Sequence, residues 1–151
     1  MKYALLFVRL VFAAWMIPAG LNHFVVLFPQ PMGSQPLSHE LVAALIDSHL
    51  FAVVKAVELI AGLSALTGFY TPLALIVCMP VSFCVFYWDA PLEGHWTSPA
   101  SWFGYAALFC NVVLCLAYLP SYRSMFAVRS QPLTLGVPHV PRTAQHAGVR
   151  S

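Results

Sequence analysis

Between Phe51 and Tyr70 the chain is apolar except for two hydroxyl side chains, one base, Lys55, and one acid, Glu58. A helix rises about 1.5 Å per residue, so a run of about 20 residues matches the hydrocarbon thickness of a bilayer. An unpaired charge inside that layer costs at least about 2.5 kcal/mol. Lys55 and Glu58 are three residues apart, which places them on one helical face. Either they neutralise each other and fix helix register, or together they hold a ligand.

Composition supports the membrane reading. The chain has 151 residues, 60% of them hydrophobic and 8% charged. Soluble domains carry roughly a quarter charged residues. The expectation is an all-α integral membrane protein of one domain. A net charge of +2 without a basic stripe excludes nucleic acid as a partner. The N-terminal run carries Lys2, is interrupted by Arg9, and has no small-residue cleavage site after it, so it reads as a retained helix. Cys78, Cys84, Cys110 and Cys115 all lie in apolar runs with no C-x-x-C, and read as small core residues. His39, His49 and His95 lack paired ligand spacing, so no metal is expected. No haem ligand pair, flavin motif or nucleotide loop is present.

The apolar pattern predicts a four-transmembrane-helix bundle, with spans at Tyr3–Phe28, Phe51–Tyr70, Pro72–Trp88 and Trp102–Leu119, in a membrane domain ending at Pro120. Prolines and glycine stop the first span at Phe28. Ser38 reads as an N-cap and Leu41, Val42, Leu45 and Ile46 as a short amphipathic piece. Pro80 predicts a kink in the third span. Asp89–Ser101 reads as a polar loop. From Ser121 onward the chain is proline-rich and aperiodic, which predicts a disordered tail.

Charge orients these spans. Lys2 and Arg9 lie at the start, and Arg123, Arg129, Arg142 and Arg150 follow the last span. Glu40, Asp47, Asp89 and Glu93 fall in the two opposite loops. The positive-inside rule then places both termini in the cytoplasm, as an even number of spans requires.

Polar residues share stripes with small ones: Arg9, Ala13, Met16, Gly20 and His23; Phe51, Lys55, Glu58, Gly62 and Ala65; Gly104, Leu108, Asn111, Cys115 and Tyr118. Small residues let membrane helices approach and polar ones bond across them. Arg9 and Asn111 read as structural polar residues. His23, Lys55 and Glu58 fall at one depth, with Asn22 beside them and Tyr87 of the third span at similar height. These five are the candidate ligand-binding residues, roofed by Asp47, His49, Asp89 and His95. Gly20 and Gly62 either leave room there or let two helices close together.

Several of these segments resemble the DoxX-like family of small four-span bacterial inner-membrane proteins. They are Gly20-Leu-Asn-His-Phe24, Phe28-Pro-Gln-Pro-Met32, Val54-Lys-Ala-Val-Glu-Leu-Ile-Ala-Gly-Leu63, Leu66-Thr-Gly-Phe-Tyr-Thr-Pro-Leu-Ala-Leu75 and Pro80-Val81. The resemblance covers about the first two-thirds of the chain. Two positions depart from it: relatives commonly carry Lys where this chain has His23, and Phe-His where it has Tyr87-Trp-Asp89. The resemblance implies a multi-pass protein of the bacterial inner membrane, linked to quinone and redox chemistry. The expected function is an accessory subunit that binds a quinone or another small amphiphile for a membrane oxidoreductase or redox-stress system. The implied partners are the lipid bilayer and either other oxidoreductase subunits or a second copy of itself. Two other classes stand beside this one: a quinone-linked oxidoreductase in its own right, and a purely structural or interaction protein. No catalytic residue is assigned.

Overall fold

The computed structural model describes residues 2–94, 96–97 and 99–122. The described chain is helical: α1 (Lys2–Leu21), α2 (Pro36–Asp47), α3 (Leu50–Thr67), α4 (Thr71–Tyr87), a π-helical turn (Trp88–Leu92), α5 (Pro99–Ala117) and α6 (Leu119–Tyr122). The four long helices close a ring in which α1 packs on α3 and α5, and α4 packs on α3 and α5. Among the described residues, Tyr3–Leu21, Leu50–Thr67 and Thr71–Leu92 are long and apolar enough to cross a membrane, and Ser101–Ala117 is a shorter apolar helix. Ser121 and Tyr122, expected in the disordered tail, belong to α6; the rest of the expected tail, its arginines and His95 lie outside the described residues.

Where the helices stop follows local chemistry. α1 ends at Leu21, seven residues short of the predicted Phe28. Asn22 is the reason. Its side-chain oxygen accepts the backbone N–H groups of Leu27 and Phe28 at 2.9 and 2.8 Å, which folds the chain back into a turn. Short polar side chains that bond the backbone locally compete with helix in this way. α2 begins three residues earlier than expected, with Gln35 as its N-cap and Pro36 at its first position, so Ser38 lies inside the first turn. Pro suits that position because its missing N–H would be unpaired there anyway. Gly68 ends α3 in the left-handed conformation at φ 90°, where a side chain would be strained. Arg9 completes that end: its Nε donates to the Ala65 carbonyl at 2.8 Å. A cation at a helix C-terminus satisfies orphan carbonyls and complements the macrodipole.

The interior is lined by Phe12, Met16, Leu75 and Leu114, all fully buried, with Cys78 and Cys110 among them. Cys84 instead faces outward. Trp15 stacks on Phe103 at 4.3 Å, joining α1 to α5. The α4–α5 seam is polar. Asn111 donates to Ser82 Oγ at 2.8 Å, and Cys115 donates to Asn111 Oδ1 at 3.5 Å. All polar side-chain atoms buried among the described residues have partners. A helix bundle without water inside requires such satisfaction.

Candidate functional site

Lys55 and Glu58 form an ion pair, with Nζ 2.8 Å from Oε2. The Glu58 side chain is 2% exposed and that of Lys55 12%, so the acid lies in the interior and the base reaches toward the surface. Both sit on α3 because the apolar run is helical there, and spacing of three brings their side chains together. Lys55 Nζ also lies 5.1 Å from the centre of the Phe51 ring, a cation–π distance. The His23 ring meets the same Phe51 ring edge-on, at 5.4 Å. Lys55 and His23 thus share one aromatic ring. Among the described residues, no hydrogen bond or ion pair joins His23 directly to Lys55 or Glu58.

The other expected members are placed differently. Asn22 is buried, and its side-chain oxygen is committed to the turn after α1. Tyr87 is 47% exposed and stacks on Phe83. Asp47 and His49 are exposed at the junction of α2 and α3. Arg9 is bonded to the far end of α3, and Asn111 to α4.

The glycines settle as close packing. A Cβ on Gly20 would lie 2.7 Å from the Lys55 carbonyl and 2.6 Å from the Leu59 nitrogen. One on Gly62 would meet Ile17 at 2.8 Å. So α1 seats directly on the backbone turn that carries Lys55, and neither glycine opens a recess. A separate apolar groove of about 320 Å³ lies between α3 and α4, lined by Val57, Ile60, Ala61, Ser64, Leu73 and Val77 among others.

Two acids outside the five candidate residues, Asp89 of the expected roof and Glu93, shape the same end of the bundle. Asp89 is buried, and Lys55 is close enough for its charge to act on it. Gly104 leaves Asp89 its space: a Cβ there would sit 2.9 Å from the carboxylate. Glu93 reaches across to the start of α2. It accepts the Ser34 N–H at 3.0 and 3.1 Å and the hydroxyls of Ser34 and Ser38. Burial alone would push the Glu93 carboxyl up, but the hydrogen bonds from Ser34, Ser38 and Gln35 hold it below its ordinary value. Trp88 Nε1 adds a bond to the Ser38 carbonyl at 3.1 Å. Gly33, at φ 88°, lies so close to Ser38 and Glu93 that a side chain would collide with both. Glu93 therefore acts as an anionic cap on the α2 N-terminus, supplied from a segment far away in sequence.

No group of three metal-ligating side chains suited to a metal ion occurs among the described residues. No protein-family model, curated protein or solved structure matches the chain.

Proposed function

We propose that this chain is a DoxX-like, four-span protein of the bacterial inner membrane with both termini cytoplasmic. In this reading it is an accessory subunit that holds the head of a quinone or similar small amphiphile beside Lys55 for a membrane oxidoreductase. One observation carries the ligand reading. Lys55 spends one of its three N–H donors on Glu58, keeps 12% of its side chain exposed, and lies at an aromatic ring shared with His23. An amphiphile's carbonyl needs an N–H donor within an apolar wall, and small-molecule sites commonly combine the two. Glu58 pairs with the Lys55 ammonium, the Phe51 ring lies beside it, and the His23 imidazole lies at the rim.

The test is binding by the purified protein in lipid nanodiscs, probed with a water-soluble short-chain ubiquinone and read by tryptophan quenching. The expected result is saturable quenching in the native chain and none in Lys55→Met with Glu58→Leu. Unchanged quenching in the double variant would overturn the Lys55 site.

A second reading is favoured by Gly20 and Gly62. Both close α1 onto α3 instead of opening a recess, and Glu58 bonds Lys55 within the bundle. In this reading the pair only fixes helix register. A folded protein from which no amphiphile extracts, and which no quinone quenches, supports it.

A further inference from the structure

Helix α2 has three faces. Ser38 and Val42 turn inward and are buried, Ser38 being held by Glu93. His39, Glu40 and Asp47 form an exposed polar face. Leu37, Leu41 and Ala44, spaced four and three residues apart, form an exposed apolar stripe. Spacing of three and four puts them on one side of the helix. Leu37 is 61% and Leu41 42% exposed.

That stripe is not isolated. His49, in the left-handed conformation at φ 61°, breaks the helix between α2 and α3, so α2 is not a continuation of α3. Immediately past it, Leu50 and Val53 of α3 are also exposed. At the same end of the bundle, Phe24, Val25, Val26, Leu27 and Phe28 are all exposed although none is polar. Proteins in water rarely leave contiguous apolar surface of this kind uncovered. Exposed apolar residues on both sides of His49, next to a helix long and apolar enough to cross a membrane, argue for one occupant.

We propose that α2 lies half-immersed in the bilayer surface, with Leu37, Leu41 and Ala44 in the acyl boundary and His39, Glu40 and Asp47 in water. Interfacial helices sit with an apolar face roughly 5–10 Å into that boundary. α2 has no Lys or Arg, so the contact is with acyl chains rather than anionic headgroups. The Glu93 clasp and the Trp88 bond fix the rotation of α2 and so decide which stripe faces lipid.

The experiment places a photoreactive benzophenone amino acid at Leu41, at Leu37 or at Glu40 in the full chain, reconstituted into phosphatidylcholine vesicles. Illumination is followed by mass spectrometry of the protein. Lipid adducts are expected at Leu41 and Leu37 in severalfold excess over Glu40. Equal yields at all three positions, or a cross-linked dimer as the main product at Leu41 and Leu37, would overturn the immersion. Leu37 serves if the Leu41 variant does not insert. The proposal rests on the bilayer reading and not on the ligand: a chain recovered outside the vesicles would defeat the bilayer reading itself. An inserted chain without lipid adducts would defeat only the placement of α2.

Discussion

At the scale of single residues the decisive group is Glu58, because it is the acid deepest in the bundle. Its neighbour Lys55 neutralises it at 2.8 Å. Breaking a buried pair by removing one partner leaves an uncompensated charge and commonly costs about 3–5 kcal/mol, whereas replacing both by apolar groups is often neutral. Glu58→Gln and Lys55→Met are each expected to destabilise the folded protein by an amount of that order, as measured by denaturant titration in detergent. The double variant Lys55→Met with Glu58→Leu is expected to recover most of the loss. Additive single effects would show that the two side chains are not coupled. The cycle also separates the two functional readings. Where the native chain binds the quinone, a double variant that is stable but no longer binds marks a site, and one that is stable and still binds leaves the pair as a register lock. Lys55 and Glu58 were legible as a pair in the sequence, because spacing of three in an apolar run leaves few other arrangements. The meaning of Gly20 and Gly62 was not, since a missing Cβ serves a cavity and a close helix contact equally well until the partner backbone is known.

At the scale of elements the α2 clasp stands apart from the bundle. Glu93 holds Ser34, Gln35 and Ser38 as a carboxylate, and these bonds are lost when it takes up a proton. Its carboxyl is held below the ordinary value, near 4.3 in the unfolded chain. The clasp therefore contributes its full stability above about pH 4.3 and loses it as the pH falls through the lower folded value. The protection of the α2 amides, measured against each amide's intrinsic exchange rate at the same pH, is expected to fall in that acid range in the native chain. In Glu93→Gln that protection should already be low at pH 7 and change little on acidification. Identical protection of α2 in both proteins at pH 7 would exclude the clasp. No sequence signal pointed here. Glu93 and Ser34 are far apart in the chain, so only the folded loops bring them together. Ser38 did stand out, as an N-cap, but the helix started earlier because Pro36 suits its first position. Asn22 likewise looked like a site residue, whereas the turn after α1 uses its oxygen and shortens the helix predicted to reach Phe28.

At the scale of the whole molecule the ring of α1, α3, α4 and α5 follows from apolar runs of suitable length and from stripes that mix small and polar residues. Ala13, Met16 and Gly20 are buried on α1, as Glu58, Gly62 and Ala65 are on α3, and Gly104 and Asn111 on α5. Those stripes were readable because helical periodicity needs no knowledge of the partner. Which stripe meets which was not readable, and it is set by contacts such as Arg9 on the Ala65 carbonyl and Asn111 on Ser82. The same ring makes a definite statement about topology. α1 and α4 run one way and α3 and α5 the other, so the loops holding Glu40 and Glu93 share one end of the bundle. The clasp between Ser34 and Glu93 requires that they do. Arg9 lies near the start of α1, at the opposite end, and four more arginines follow Tyr122 in the sequence. Basic flanks stay on the cytoplasmic side, whereas acidic residues carry little weight in this choice. A reporter active only in the cytoplasm, fused after Arg129, is expected to be active, and the same reporter inserted at Glu93 silent. Activity at both positions would leave α4 and α5 unable to be a hairpin across the bilayer. The reverse pattern would invert the bundle and place the Lys55 end on the cytoplasmic side.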